Sequence, residues 1–451
     1  MSQKITKEEL LAKAHQPAAD AMRLHPFYRG KMQTMPKCPV RDFSDFSIWY
    51  TPGVATPCRA IEKDKDKVYE YTNKWNTVAI VSDCTRVLGL GDIGPEAGLP
   101  VMEGKAMLFK YLGGVDAVAI CLDTKDPEEI IRTVKLLQPS FGGINLEDIS
   151  NPKCFYILDT LRKEMSIPVF HDDQQGTAAV TLAGLINALK IVGKKKEAVK
   201  LTVVGVGAAN IAITRLLFTD GFKPENTIFV DSKGILNPGR ADLEAKQKEN
   251  PYKWDLCQRS NAEKRTGGIS EALKGADVCI SLSKAGPDTI KAESLKGMAK
   301  DAILFACANP IPEIWPWEAR EAGVRIVATG RSDFPNQVNN STGFPAIFRG
   351  ALDVKAKTIT DEMCLAAAYE LAKFAEERGI DDENISPTMD EWEAFIREAV
   401  AVGMKAIEQG VAREAPSREE LTRQAEKMIK EAREATSLLM KSGLIPPVPA
   451  E

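Results

Sequence analysis

Leu201-Thr202-Val203-Val204-Gly205-Val206-Gly207-Ala208-Ala209-Asn210-Ile211-Ala212 reads as a strand, a glycine turn and the opening of a helix. Two glycines so spaced allow a tight turn and let a pyrophosphate approach a helix N-terminus, where unpaired N–H groups favour an anion. The usual third glycine is Asn210 here, a departure that could loosen helix–strand packing. Taken alone, the segment could also be a plain strand–turn–helix. The next apolar run weighs against that reading. Ile228-Phe229-Val230-Asp231 ends in an acid 21 residues past Asn210, where a ribose-binding carboxylate belongs. Ser232 and Lys233 follow and could accept a 2′-phosphate, so Asp231 favours NAD while Ser232-Lys233 keep NADP open. The candidate nucleotide contacts are Gly205, Gly207, Ala208, Ala209, Asn210, Asp231, Ser232 and Lys233.

Outward from this turn the same alternation continues. Downstream, Asp277–Ser283, Ala302–Ala306 and Arg325–Thr329 are short apolar strands, and the polar stretch Asn237–Gly268 is an excursion between two of them. Upstream, a long helix from about Gly176 to Val192 leads into the first strand, and before it lies another α/β series. Its strands are Thr77–Asp83, Ala117–Leu122, Phe141–Leu146 and Val169–Phe170, with helices at Gly104–Leu112 and Asp126–Leu137. Strands alternating with helices predict mostly parallel sheets. Residues 6–25 read as a helix interrupted by Pro17, 26–39 as an irregular connection, and 361–451 as amphipathic helices.

The expected fold class is therefore α/β with two domains. An N-terminal α/β substrate and metal domain (1–172) precedes a Rossmann-type nucleotide domain (173–340). A helical C-terminal region (341–451) is expected to pack back on the first. At 451 residues, 44% hydrophobic and 27% charged, the composition is that of a soluble globular protein. A net charge of −4 offers no broad basic surface for nucleic acid. Nine scattered cysteines without a C-x-x-C pair fit reduced thiols in a cytoplasm. No signal peptide is apparent and no apolar run is expected to reach a membrane span.

Two carboxylate pairs close two neighbouring apolar strands. Asn145-Leu146-Glu147-Asp148-Ile149 ends one, and Phe170-His171-Asp172-Asp173-Gln174-Gln175-Gly176-Thr177 ends the next. Four like charges at adjacent strand ends would repel. A hard divalent cation such as Mg²⁺ or Mn²⁺, which takes oxygen ligands at about 2.0–2.2 Å, resolves the conflict. With only three histidines in the chain, most proton transfer would fall to Lys, Tyr, Asp or Glu.

Further segments are dense in special residues: Trp49-Tyr50-Thr51-Pro52-Gly53-Val54-Ala55, Thr85-Arg86 through Gly94, Gly104-Lys105-Ala106, Ala306-Cys307-Ala308-Asn309-Pro310 and Gln337-Val338-Asn339-Asn340. With the carboxylate pairs and the glycine turn, in this order, they resemble the malic enzymes over about residues 25–350. The resemblance implies oxidative decarboxylation of L-malate to pyruvate and CO₂ with NAD or NADP and Mg²⁺ or Mn²⁺. It implies Glu147, Asp148 and Asp173 as metal ligands, with Asp172 behind them, and Arg86, Asn309, Asn339 and Asn340 on the substrate. Asn309 would also border the cofactor. Lys105 would be the base for the C2 hydroxyl, its pKa drawn down into working range, and Tyr50 the acid that protonates C3. The similarity is to the compact bacterial and archaeal form, for which a homodimer is expected, with Tyr50 able to complete the partner's site.

Blander roles exist for each residue. Lys105 could be a surface helix lysine, Tyr50 could pack a turn, Arg86 could pair with Asp83, and Asn309 could be a turn residue. Two rival readings are a metal-independent amino-acid dehydrogenase with a catalytic lysine and a non-catalytic nucleotide sensor on the same fold.

Overall fold

A computed structural model describes residues 7–449. The first sheet contains β1 (Thr77–Ser82), β2 (Asp116–Cys121), β3 (Gly143–Leu146) and β4 (Val169–His171). All pair in parallel in the order β2-β1-β3-β4. Its strands are short β-branched runs covered by helices, so β3 and β4 are buried throughout and β1 from Val78 onward. The helix Pro127–Leu137 shows the local logic of the connections. Asp126 caps it by accepting the Glu128 N–H at 2.8 Å, and Pro127 sits where no N–H is needed.

The second sheet contains β5 (Leu201–Val204), β6 (Thr227–Asp231), β7 (Gly234–Ile235), β8 (Val278–Ser281), β9 (Ile303–Ala306) and β10 (Ile326–Thr329). Its order is β10-β9-β8-β5-β6-β7. Strand order reverses between β5 and β8, and that switch point opens a crevice beyond the carboxyl ends of the strands. The outermost strand, β7, is two residues long and antiparallel, made by the chain turning straight back from Asp231. The polar excursion that follows is not featureless. It contains the helix Pro251–Arg259, whose Leu256 and Cys257 are buried.

The helix Thr177–Val192 connects the two sheets along the chain, packs on the helices Ala208–Thr219 and Asp361–Arg378, and has eleven of its sixteen residues buried. Together with the turn before it, the stretch Asp172–Val192 is long and apolar enough to cross a membrane, with a mean hydropathy of 1.3. That corrects the expectation that no apolar run reaches such a length. The run is apolar because 72% of it is buried inside the protein, where a helix must be hydrophobic all round. The first helix also departs from expectation. It runs from Lys7 to Tyr28 without a break at Pro17, so the proline removes one backbone donor rather than ending the helix.

The C-terminal region forms the helices Phe344–Asp353, Asp361–Arg378, Trp392–Glu408 and Arg418–Lys441. The last begins with a reciprocal cap, Ser417 accepting from Glu420 and Glu420 from Ser417. Two of these helices close on the N-terminal sheet's helix Pro95–Gly113 at its glycine end. A Cβ on Gly113 would lie 2.7 Å from the Pro345 carbonyl, and one on Gly114 (φ +63°) would lie 2.6 Å from that of Met428. Phe109 stacks edge-on to Phe344 and Phe348 with ring centroids 4.6 and 5.2 Å apart. Phe348 in turn meets Phe170 of β4 at 5.5 Å. This fully buried aromatic cluster ties the C-terminal helices to the strand that carries Asp172 and Asp173.

Candidate active site

Parallel pairing sets Leu146 opposite His171, so the residues that follow, Glu147 and Asp172, leave the sheet side by side. Asp148 then takes a left-handed conformation, φ +53°, which turns its backbone inward. Its N–H donates to Asp173 Oδ2 at 2.8 Å, and its carbonyl accepts the Arg86 N–H at 2.9 Å. Asp172–Gly176 is a π-helical turn, a device that swings extra residues inward at functional sites. A Cβ on Gly176 would collide with Asp172 Oδ1, so only glycine lets that carboxylate fold beneath the turn. The outcome is three ligand oxygens, one each from Glu147, Asp148 and Asp173, all within 4.8 Å of one another.

Lys105, on the helix Pro95–Gly113, reaches this cluster from below. Its ammonium pairs with Glu147 Oε1 at 2.9 Å and with Asp172, and lies 4.3 Å from the centre of the Phe344 ring. The sequence left Lys105 a surface alternative, but its side chain is only 8% exposed. Burial works to lower its pKa. The negative charges of Asp172, Glu147 and Asp173 outweigh it and hold the pKa above the ordinary lysine value. Among these carboxylates alone the ammonium is favoured, whereas the downward shift expected from the sequence supposes a metal beside it.

Burial and mutual repulsion raise the carboxyls of Glu147, Asp148 and Asp172, with Lys105 acting against the rise. Asn145 Nδ2 holds the other Glu147 oxygen at 2.9 Å. Among the described residues, Asp148 Oδ2 and Asp172 Oδ1 are buried without a hydrogen-bond partner. Crowded carboxylates, orphaned oxygens and an all-oxygen donor set fit a hard divalent cation held by Glu147, Asp148 and Asp173. His171 is buried between the pairs, with Nδ1 3.6 Å from Asp173 Oδ2. Burial lowers its pKa, which makes it a neutral filler.

Three loops meet over the carboxylates. Arg86 is exposed, and its guanidinium donates to the Leu88 carbonyl at 3.0 Å; Asp83 pairs instead with Lys153. The loop it begins abuts the one after β9, since a Cβ on Gly89 would lie 2.8 Å from the Asn309 carbonyl oxygen. Asn309 is exposed there, and a Cβ on Gly330 would lie 2.9 Å from its Nδ2. Asn339 is committed to its own loop, donating to the Gly330 carbonyl at 3.1 Å and capping the turn at Ser341, whereas half-buried Asn340 has no side-chain hydrogen bond among the described residues. Tyr50 stands apart. It ends the short helix Phe46–Trp49, is 71% exposed, and its hydroxyl makes no hydrogen bond among the described residues.

The crevice beyond β5 lies alongside. Gly205 has φ +94° and donates its N–H to the Val230 carbonyl at 2.8 Å, and a Cβ there would meet the Leu282 carbonyl at 2.7 Å. Gly207 differs: its φ is −93°, which any residue adopts, and a Cβ on it would meet nothing within 4 Å. That bare surface, ahead of the uncapped helix Ala208–Thr219 begun by Ala208 and Ala209, fits close approach by a pyrophosphate. Asn210 is fully buried and donates to the carbonyls of Val204 and Gly205 at 2.8 and 2.9 Å. It stitches the turn to the strand from below, so the replaced glycine tightens the packing instead of loosening it. Asp231 ends β6 beside this turn, followed by exposed Ser232 and Lys233. Asn151, just past the carboxylates, donates to the Val206 carbonyl at 3.4 Å and joins the two halves of the site.

Glu313 escaped the sequence reading. Wholly buried, it accepts from the Ser281 hydroxyl and the Ser283 N–H, both at 2.8 Å, and from the Ala308 N–H at 3.1 Å. It thereby fixes the loop after β8 to the loop that presents Asn309. Its only sequence signal is an acid set among Ile311, Pro312, Ile314 and Trp315.

Comparison with known proteins agrees with this geometry. Residues 29–162 match the malic enzyme N-terminal domain, and residues 174–407 the malic enzyme NAD-binding domain. A bifunctional malic/malolactic enzyme of Bacillus subtilis is 48% identical, the match covering 91% of this chain and 98% of that one. An NAD-dependent malic enzyme of Geobacillus stearothermophilus is 52% identical over 85% of this chain and 78% of that one. The crystal structure of Entamoeba histolytica malic enzyme superposes with a TM-score of 0.95 at 49% identity, covering 100% of this chain and 93% of that one. With two matched domains spanning most of its length and relatives this similar along theirs, the chain belongs to the malic enzyme family.

Proposed function

We infer that this chain oxidatively decarboxylates L-malate to pyruvate and CO₂, reducing NAD(P)⁺ with a divalent cation bound. The observation that carries the reading is the convergence of Glu147, Asp148 and Asp173 within 4.8 Å, beside buried Lys105 and next to the glycine turn. Residues 1–172 serve as the substrate and metal unit, 173–340 as the nucleotide unit, and 341–451 as a helical brace on the first.

In this reading Arg86, exposed at the rim, pairs with a malate carboxylate, which a planar guanidinium matches well. Asn309 and Asn340 hydrogen-bond the rest of the substrate, and Asn339 acts by holding their loop. Lys105 takes the C2 hydroxyl proton. To do so it must first shed its own, and Asp172, already its partner, is the acceptor at hand. Mg²⁺ or Mn²⁺ at the three carboxylates supplies Lewis-acid stabilisation of developing negative charge and, by offsetting those carboxylates, eases deprotonation of Lys105. The nicotinamide supplies the hydride acceptor. Tyr50 protonates C3 of the enolpyruvate.

Tyr50 performs that step from a second copy of the chain. Its segment exposes Phe43 (90%), Ile48 (54%) and Trp49 (45%), an apolar surface suited to a homodimer interface. Mixing Tyr50→Phe and Lys105→Ala chains tests this, because only a site shared across the dimer regains activity in the hybrid. Free cysteines throughout suit a cytoplasmic location. The reading as a whole is tested by malate-dependent NAD(P)H formation with Mn²⁺ before and after EDTA. Activity on an amino acid that survives chelation would overturn it.

A further inference from the structure

The adenosine end of the crevice bears on which dinucleotide the site takes, an inference that rests on the dehydrogenase reading above. Asp231 occupies the position from which a carboxylate accepts a ribose 2′-hydroxyl in NAD-binding folds. A carboxylate offers about four lone-pair sites, and here all are spent. Oδ1 accepts the Lys233 backbone N–H at 2.8 Å and Arg240 Nη1 at 3.1 Å. Oδ2 accepts Arg240 Nη2 at 3.2 Å and Lys253 Nζ at 2.6 Å. The side chain is only 9% exposed. A ribose hydroxyl that donated to Asp231 would have to displace a charge-assisted bond and leave a cation short of its partner.

The corner is rich in donors instead. Arg240 is fully engaged, its Nε and Nη2 also binding Asp242 at 2.6 and 2.9 Å. Lys233 and Lys253 are not. Among the described residues each ammonium makes a single hydrogen bond, Lys233 to Asp242 at 3.1 Å and Lys253 to Asp231 at 2.6 Å, which leaves two of its three donors unspent. Lys233 is 66% exposed, and the Ser232 hydroxyl lies beside it at the turn. Three cations against two carboxylates leave the corner one positive charge.

We propose that this corner receives a 2′-phosphorylated adenosine ribose, so that the chain takes NADP in preference to NAD, with Lys233 and Lys253 as the specificity residues. A phosphate monoester carries close to two negative charges at neutral pH and three strong acceptor oxygens, which match the unspent donors without disturbing the Arg240–Asp231 pair. The polar excursion after β7 supplies two of the three cations, Arg240 and Lys253.

Calorimetric titration of the purified whole protein without malate tests this, comparing 2′,5′-ADP with 5′-AMP and NADP⁺ with NAD⁺. The expected result is at least about tenfold tighter binding of each 2′-phosphorylated ligand. Lys233→Gln should collapse that ratio and Lys233→Arg should restore most of it. Lys253→Gln should narrow the ratio from both sides, since it removes a phosphate donor and frees an Asp231 oxygen for a ribose hydroxyl. Equal or tighter binding of the unphosphorylated partners, an unchanged ratio in Lys233→Gln, or no binding of NADP⁺ overturns the proposal. If the binding preference holds but malate is oxidised with neither cofactor, the malate reading fails and this one stands.

Discussion

Two groups of acids sit at the carboxyl edges of the two sheets, and they are balanced in opposite ways. At the second sheet Asp231 and Asp242 are met by Lys233, Arg240 and Lys253, so each negative charge has a cation on it. Their pKa values are lowered accordingly, chiefly by hydrogen bonds to Arg240 and working against burial. At the first sheet Glu147, Asp148, Asp172 and Asp173 share one buried cation, Lys105. Burial and repulsion raise three of those four carboxyls. Balanced acids build a surface for a ligand that brings its own charge. Unbalanced acids mark where an outside cation is needed and where proton transfer can be driven. Glu313 lies between the cases, a buried carboxylate with hydroxyl and N–H donors but no cation, and its work is to hold loops.

The largest effect should come from the single cation of the unbalanced group. Lys105→Ala is expected to slow malate oxidation by about 10²–10⁴-fold, the usual worth of a positioned acid–base group. Nucleotide affinity, measured by titration, should change little, because Lys105 lies in the other half of the site. A rate within about threefold of the parent would remove it from the role of base.

Next comes the charge deficit itself. Asp173→Ala should weaken Mn²⁺ binding by at least about 100-fold in a calorimetric or electron-paramagnetic titration, since it deletes a ligand and not merely an outer partner. Asp231→Ala, an equal change in charge at the balanced edge, should leave the Mn²⁺ affinity where it was. Similar losses from both would mean that long-range charge, and not coordination, governs the metal.

Glu313→Gln probes the intermediate case. The amide keeps one acceptor oxygen but turns its NH₂ toward the Ala308 or Ser283 N–H, leaving a buried donor unpaired at about 1–3 kcal/mol. Expected are a lower thermal midpoint and a raised KM for malate, with kcat less affected, as Asn309 shifts on its loop. An unchanged KM with the midpoint lowered would confine Glu313 to stability.

Much of this was readable in the sequence because strands here are short β-branched runs ending in punctuation. The nine long enough to show a pattern all lie where apolar runs were read, several of them ending at Gly or Asp, and the carboxylate pairs sit one residue past adjacent strand ends. β7, at two residues, carries no periodicity to read. The partners of Asp231 were equally hidden. Lys233 is adjacent in sequence, but Arg240 and Lys253 return to the strand only through the fold of the excursion. Asn210 was misread because a glycine rule counts conformational freedom and says nothing of a side chain that replaces lost packing with hydrogen bonds.

The smallest effect should come from titrating the balanced edge. The folded pKa of Asp231 lies below its unfolded value of 3.8, so its ion pairs add stability that is fully present above about pH 4 and disappears as pH falls through the folded value. Asp231→Asn should therefore cost about 1.5–3 kcal/mol, the usual worth of hydrogen bonds to a charged group, in urea unfolding at pH 7. That gap between parent and variant should be unchanged at pH 5 and should shrink only below about pH 4, where the parent also loses its carboxylate. A gap that instead narrowed between pH 7 and 5 would mean that Asp231 titrates as the crowded carboxyls of the first sheet do, and the contrast between the two edges would be lost.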